Sequence, residues 1–292
     1  MTDAKPQDPE IIDLKGKDLT NFKPELGKCY ANLPIQLYHS LTEFNGSTQM
    51  KTAKRSFENY EMCKGVGLDT TIALERGNAF HLGMQARAEG WIDQWDAWIK
   101  TCSTKTILTK DWFAVRDANS SECFVLPEHE KINSYIMSEK LYNDAKEVGL
   151  FDDFHCEISM FWRDMSGILC KCRPDLLSFR HRFFLDWKST KTESDFMFSK
   201  DMFDYLYHFS LHFYREGIMR TTGIFMDDVY IASVRNTPPF ETDFFRVFDE
   251  TLDEGEKVMS QLIATIKAGK PNPQWKNIGI PYYGFTKEDE DE

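Results

Sequence analysis

The stretch that decides the fold runs from Gly167 to Lys191 and reads GILCKCRPDLLSFRHRFFLDWKSTK. Two apolar runs in it carry ionisable groups: Pro174-Asp175 in the first, Asp186-Trp187-Lys188 in the second. Charges in such company are costly unless something compensates them, and a metal ion is one compensation. In a strand, residues two apart share a face, so Asp186 and Lys188 project together while Leu185 and Trp187 face the other way. Asp175 is expected on the preceding strand, and Glu157 on a strand before that, in HCEISMFW from His155. If these strands are neighbours, Asp175 and Asp186 converge on one cation and Glu157 supplies a third carboxylate. Oxygen ligands suit Mg²⁺ or Mn²⁺ rather than Zn²⁺. Lys188, a mobile point charge, then orients water or a phosphate. Taken singly, Pro-Asp is a common turn element and Asp-x-Lys a common surface pair. Their joint arrangement carries the reading.

Outward from this stretch, the 292 residues are 41% hydrophobic and 14% aromatic, enough for a packed interior and against a disordered chain. No apolar run reaches the about 18–20 residues of a membrane span, so no membrane is expected. The opening MTDAKPQDPE is polar and does not read as a secretory leader. Seven scattered cysteines fit reduced thiols in a cytoplasmic compartment. Cys170 and Cys172 form a C-x-C, but an iron–sulfur cluster needs four thiolates, and both read as core. Net charge is −12, which taken alone argues against nucleic-acid binding. A local basic groove remains compatible with it.

Residues 1–30 read as a loose arm, 281–292 as an acidic tail. Between them, helical periodicity is expected over 47–61, 69–94, 127–148, 202–221 and 248–268. Strands are expected in HCEISMFW, ILCKC, FFLDWK and DDVYIASV. This is a mixed α/β core, about 151–280, with a helical N-terminal part, about 31–150. WIDQWDAW around Trp91 reads as core or an oligomer contact, with a base-stacking surface as the alternative.

Glu157, Pro174-Asp175 and Asp186-x-Lys188 resemble the PD-(D/E)xK nuclease core. More narrowly, Tyr38-His39, RGNAFH ending at His81, SGILCKCRPD, FFLDWKSTK and YLYHFSLHFYREG resemble, in that order, the C-terminal nuclease domain of RecE (exonuclease VIII). The likeness runs from about Pro34 to Trp275. It implies an α/β nuclease core, a small mixed central sheet flanked by helices. It also implies a Mg²⁺-dependent double-strand exonuclease, with Mn²⁺ as a substitute, that degrades the 5′-ended strand and leaves a 3′ overhang. By that likeness His81, Glu157, Asp175, Asp186 and the backbone carbonyl of Trp187 are metal ligands, and Lys188 is the catalytic lysine. Tyr214 matches a tyrosine facing the site, whereas Ser210 stands where the family carries Gln. The resemblance further implies a ring-shaped homo-oligomer on DNA ends, a RecT-type single-strand annealing protein as partner, and a phage or prophage setting in a bacterial cytoplasm. Lys51, Lys54, Arg55, Arg76, Arg173 and Lys191 are the candidate phosphate contacts. The rival readings are a structure-specific endonuclease of the same core and a non-catalytic DNA-end-binding protein.

Overall fold

A computed structural model of the chain describes residues 8–66, 70–120 and 123–270. The N-terminal part holds β1 (Ile11–Asp13), β2 (Cys29–Ala31), α1 (Ile35–Ser40), α2 (Ser47–Thr52), α3 (Phe57–Val66) and α4 (Ile72–Ala88). A 3-10 turn (Ile92–Gln94), α5 (Trp95–Trp98), β3 (Ile99–Cys102), α6 (Lys110–Asp117), β4 (Phe124–Pro127) and α7 (Glu128–Glu147) follow. The core adds β5 (His155–Cys156), β6 (Ser159–Arg163), β7 (Leu169–Cys172), β8 (Leu176–Ser178) and β9 (Phe183–Thr190). It closes with α8 (Asp195–Asp204), α9 (Tyr207–Thr222), β10 (Asp228–Arg235), β11 (Thr242–Arg246) and α10 (Asp249–Ala268).

The central sheet has the order β11-β10-β9-β8-β5 and is mixed: β9 runs parallel to β10 and antiparallel to β8. β9 is buried from both sides, which is why it reads as an almost continuous apolar run. Leu185 and Trp187 pack with Phe80 and Met84 of α4 and Met137 and Leu141 of α7. Phe184, on the other face, joins Phe209 and Phe213 of α9 and Leu252 and Leu262 of α10. The α/β class, with a small mixed sheet between helices and a helical N-terminal region, is therefore as expected.

A second sheet, β1-β2-β6-β7, lies alongside. Within the N-terminal stretch read as a loose arm, β1 and β2 pair in parallel, and β2 pairs with β6. The expected strand from His155 is broken in two, because Glu157 adopts a left-handed backbone at φ 54°. Its first half, β5, pairs with β8 in the central sheet, and its second half, β6, pairs with β7 in the other. Asp175 likewise stands in the link between β7 and β8 rather than inside a strand. The expected helix over 69–94 stops at Ala88, where Gly90 turns left-handed at φ 81°; position 69 lies outside the described residues, as do Trp275 and the acidic tail. The helix expected over 202–221 is two helices, α8 and α9, divided at Leu206.

Two residues tie the sheets to the helices. Gly217 of α9 lets the helix approach so closely that an added Cβ would lie 2.6 Å from the Trp162 ring and 2.8 Å from Cys172 Sγ. Lys171 of β7, only 5% exposed, donates from Nζ to the carbonyls of Tyr38 (2.6 Å) and Leu41 (2.9 Å) at the end of α1. These are carbonyls that a helix terminus leaves unpaired. Cys170 and Cys172 are buried in the main core cluster, as read from the alternation.

Candidate metal centre

The breaks in the strands build the site. At Glu157 the chain crosses from one sheet to the other, and at Asp175 it crosses back. A left-handed backbone at a non-glycine residue costs on the order of 1–3 kcal/mol and persists only where its surroundings hold it. Here the Glu157 N–H donates to the Asp175 carbonyl at 3.2 Å, and the Glu157 carbonyl accepts from Arg173 Nε at 3.1 Å. The two crossings are thus tied together, and both carboxylates are delivered to one place at the sheet edge. His81 reaches the same place from the middle of α4. His81, Glu157 and Asp175 each offer a ligand atom, and these atoms lie within 4.8 Å of one another.

Asp175 is the hub. Its Oδ1 lies 3.2 Å from His81 Nδ1, and its Oδ2 accepts from the Trp187 N–H at 2.6 Å. Burial would raise its pKa, but the charge and hydrogen bond of His81, with Lys188 and the Trp187 N–H, outweigh this and hold it below the ordinary value. Glu157 goes the other way. Burial and the neighbouring Asp175 raise it, against the pull of Arg173, to about 7. Arg173 holds it from Nε at 2.9 Å to Oε2. Asp186 is raised too, by burial and then by Asp175, although Lys188 opposes the shift. Like charges crowded in one place separate in just this way.

Lys188 pairs with Asp186 and also donates to the Trp187 carbonyl at 3.2 Å. Burial works against its charge, but Asp186 and Asp175 outweigh it and hold the ammonium above its ordinary pKa. His81 is held up in the same fashion: burial lowers it, and Asp175 more than restores it. One imidazole and two carboxylates, with a third acid alongside, form a donor set rich in oxygen whose ligand atoms lie close together. A divalent cation fits that set, since it satisfies the crowded carboxylates and His81 at once.

The other expected residues divide. Tyr214 is near the acids: its hydroxyl accepts from Ser47 Oγ at 3.4 Å, and burial and then Asp186 raise its pKa. Ser210 is buried one turn earlier on α9. Lys54, Arg55 and Lys191 are exposed. Two expected phosphate contacts are engaged elsewhere, because each has a buried acid to neutralise. Arg76 forks onto Glu130 at 3.1 and 3.2 Å, and Arg173 is held by Glu157. Lys51 lies closer to the chemistry than its place on a mixed helix suggested. Its Nζ is 5.4 Å from the Tyr207 ring centre, and Lys188 Nζ is 5.1 Å from the same ring. Burial, followed by repulsion from Lys188, lowers the Lys51 pKa to about 7. Only the packing of α2 against α9 reveals that neighbourhood.

With this geometry in hand, comparison with known proteins is informative. The sequence model of the PDDEXK-like domain of unknown function (DUF3799) matches residues 40–277. The chain belongs to this PDDEXK-like family. Among solved structures, a candidate exonuclease from Eubacterium rectale aligns with TM-score 0.57 at 12% identity, covering 85% of this chain and 97% of its own. At that identity the likeness speaks for the fold. A Vibrio cholerae protein aligns over 81% of this chain and 60% of its own at 12% identity, and its TM-score of 0.21 adds nothing. No curated protein sequence matches. The match spans the small mixed sheet and all three residues of the His81, Glu157 and Asp175 cluster at its edge. Among the described residues no helix is long and apolar enough to cross a membrane.

Proposed function

We propose that this PDDEXK-like chain is a divalent-metal-dependent exonuclease of the RecE-like kind. It acts on double-stranded DNA ends, removes the 5′-ended strand and leaves a 3′ overhang. The observation that carries the reading is the meeting of His81, Glu157 and Asp175 beside the Asp186–Lys188 pair. The fold-level likeness to the Eubacterium rectale protein adds to it.

In this reading His81, Glu157 and Asp175 hold the cation, Mg²⁺ or in its place Mn²⁺. Asp186 and the Trp187 carbonyl are the neighbouring oxygen donors. When bound, such an ion stabilises charge on a phosphate and lowers the pKa of a water. Lys188, kept protonated by Asp186 and Asp175, holds a phosphate oxygen or the attacking water. Arg173 orients Glu157, and Tyr214 with Ser47 closes the back of the site. Lys51, Lys54, Arg55 and Lys191 supply phosphate contacts; Arg76 and Arg173, engaged with acids, are left out of that set. Ser210, in the position where the RecE-type family it resembles carries Gln, shortens the reach of α9 toward substrate. A ring of subunits around the duplex lets topology replace part of the electrostatic affinity that a chain of charge −12 lacks. The overhang then passes to a RecT-type annealing protein in the bacterial cytoplasm.

The test is digestion of linear duplex and nicked circular DNA with and without Mg²⁺, with Lys188→Ala as control. The expected result is Mg²⁺-dependent nucleotide release from linear DNA alone, lost in the variant. Cleavage of the circle, or binding of ends without release, would overturn it.

A further inference from the structure

The rim of the site beside Lys188 is aromatic as well as basic. α8 and α9 meet at Leu206, whose left-handed backbone at φ 54° breaks what the periodicity reads as one helix. Leu206 itself is buried. The break separates the two flanking tyrosines. Tyr207 turns inward, under the ammonium groups of Lys51 and Lys188. Tyr205 stays 53% exposed, with its ring 5.8 Å from that of Tyr207 and tilted by 31°. Phe203 is 47% exposed, and its ring lies 4.7 Å from His208. Phe196, two turns earlier on the same side of α8, is 79% exposed.

Phe196, Phe203 and Tyr205 thus expose three large rings within ten residues of chain, and exposed apolar surface on this scale marks an interaction site more often than an isolated ring does. The charge around them says for what. Lys51 of α2 stands 5.4 Å from the Tyr207 ring centre, and Lys54, three residues on, is exposed just past the end of the same helix. On the acidic side, Asp204 is paired with Lys200 at 2.9 Å, Asp186 and Asp201 act on Tyr207 against Lys188, and Glu254 acts on His208 against the two lysines. Rings interleaved with ammonium groups suit a polymer that offers flat faces and anions in alternation. A duplex keeps its base faces stacked on one another, whereas an unpaired strand exposes them.

We propose that the α8–α9 corner is a track for unpaired DNA, with Tyr205 and Phe203 stacking on bases and Lys51 and Lys54 holding the phosphates between them. The proposal rests on the nuclease reading of the adjoining site, and it means that the strand reaches Lys188 already separated from its complement.

The test measures binding of a fluorescent single-stranded oligothymidylate and of a blunt duplex of equal length by anisotropy. The full chain is used in EDTA, so that no cleavage occurs. Wild type is expected to bind the single strand more tightly than the duplex. The double variant Tyr205→Ala/Phe203→Ala should weaken single-strand binding by roughly tenfold or more, as the loss of a stacked base does, and leave the duplex unchanged. Both side chains are exposed, and an unchanged melting temperature checks that the fold is kept. Phe113→Ala, at an exposed ring with its own arginine on α6, should change neither affinity. Preference for duplex, or a double variant that binds the single strand as wild type does, overturns the proposal. If wild type binds single strands with this aromatic dependence but digests nothing with Mg²⁺, the track stands and the nuclease reading falls; digestion without the single-strand preference has the opposite meaning.

Discussion

Lys171 and Lys188 sit on strands of two adjoining sheets, both in largely apolar surroundings, and they have opposite fates. Lys171 donates to the carbonyls of Tyr38 and Leu41 at the end of α1 and lies 4.8 Å from the Tyr38 ring centre. Burial, opposed only by Glu43, lowers its pKa to about 8. Lys188 meets Asp186 and feels Asp175, and those charges overcome burial and raise it. The first lysine closes a helix end; the second stands against a carboxylate cluster fit for a cation. A buried lysine is therefore defined by what it faces: DWK already sets an acid on the same strand face as its lysine, whereas the carbonyls that meet the lysine of CKC are brought by the fold.

The sharpest way to break this comparison is to truncate both lysines. Lys188→Ala is expected to slow single-turnover hydrolysis of linear duplex by about 10²- to 10³-fold, the usual loss when a group stabilising transition-state charge is removed. Asp175→Asn tests the hub of the other side. It should weaken Mn²⁺ binding by well over about tenfold by calorimetry, since effects of 10- to 100-fold already follow from disturbing groups that only orient ligands. Lys171→Met should leave the hydrolysis rate intact yet cost about 1.5–3 kcal/mol in denaturant unfolding, because it strands two buried carbonyls that accept from a charged donor. A Lys171 variant that folds normally but loses activity would dissolve the distinction.

The smallest expected effect concerns pH. Glu157 must lose its proton to ligate a cation, and its pKa lies at about 7; His81 is also held above its ordinary value. As pH falls through 7, protons compete for both groups, so Mn²⁺ affinity should decline by about tenfold or somewhat more per pH unit. Above that range it should level off. The sign follows from both groups being raised: each binds its proton more readily in the folded metal-free chain than a free side chain does. Titration calorimetry between pH 6 and about 8 checks it, and an affinity that stays flat across the range would mean that Glu157 is not a ligand.

Much of the central sheet could be read from residues. FFLDWKST alternates apolar and charged positions inside a run too apolar to be exposed, and it is β9, buried on both faces. The order of Glu157, Asp175 and Asp186 pointed to one cluster, and the first two meet His81 at the sheet edge. Asp186 was expected among the ligands as well; here its carboxylate is engaged by Lys188 beside the cluster. What escaped is where the chain bends. Glu157 and Leu206 have side chains that ordinarily avoid a left-handed backbone, so neither announced a break. Arg76 and Arg173 looked like free cations because their acids, Glu130 and Glu157, are distant in sequence. Lys51 was read as a phosphate contact, but its place beside Tyr207 and Lys188 was not legible, because α9 and Tyr207 lie far along the chain.

The amino-acid order by itself determined the α/β class, the strand carrying Asp186 and Lys188, and the kind of residue that can bind a hard cation. These are consequences of local periodicity and side-chain chemistry, which act over a few positions. The folded structure alone decided which charges meet: the handover of the chain between two sheets, the pairing of each arginine, and the rings and lysines gathered at the α8–α9 corner. Electrostatic energy depends on distance through space and on burial, and neither is written in the spacing of residues along the chain.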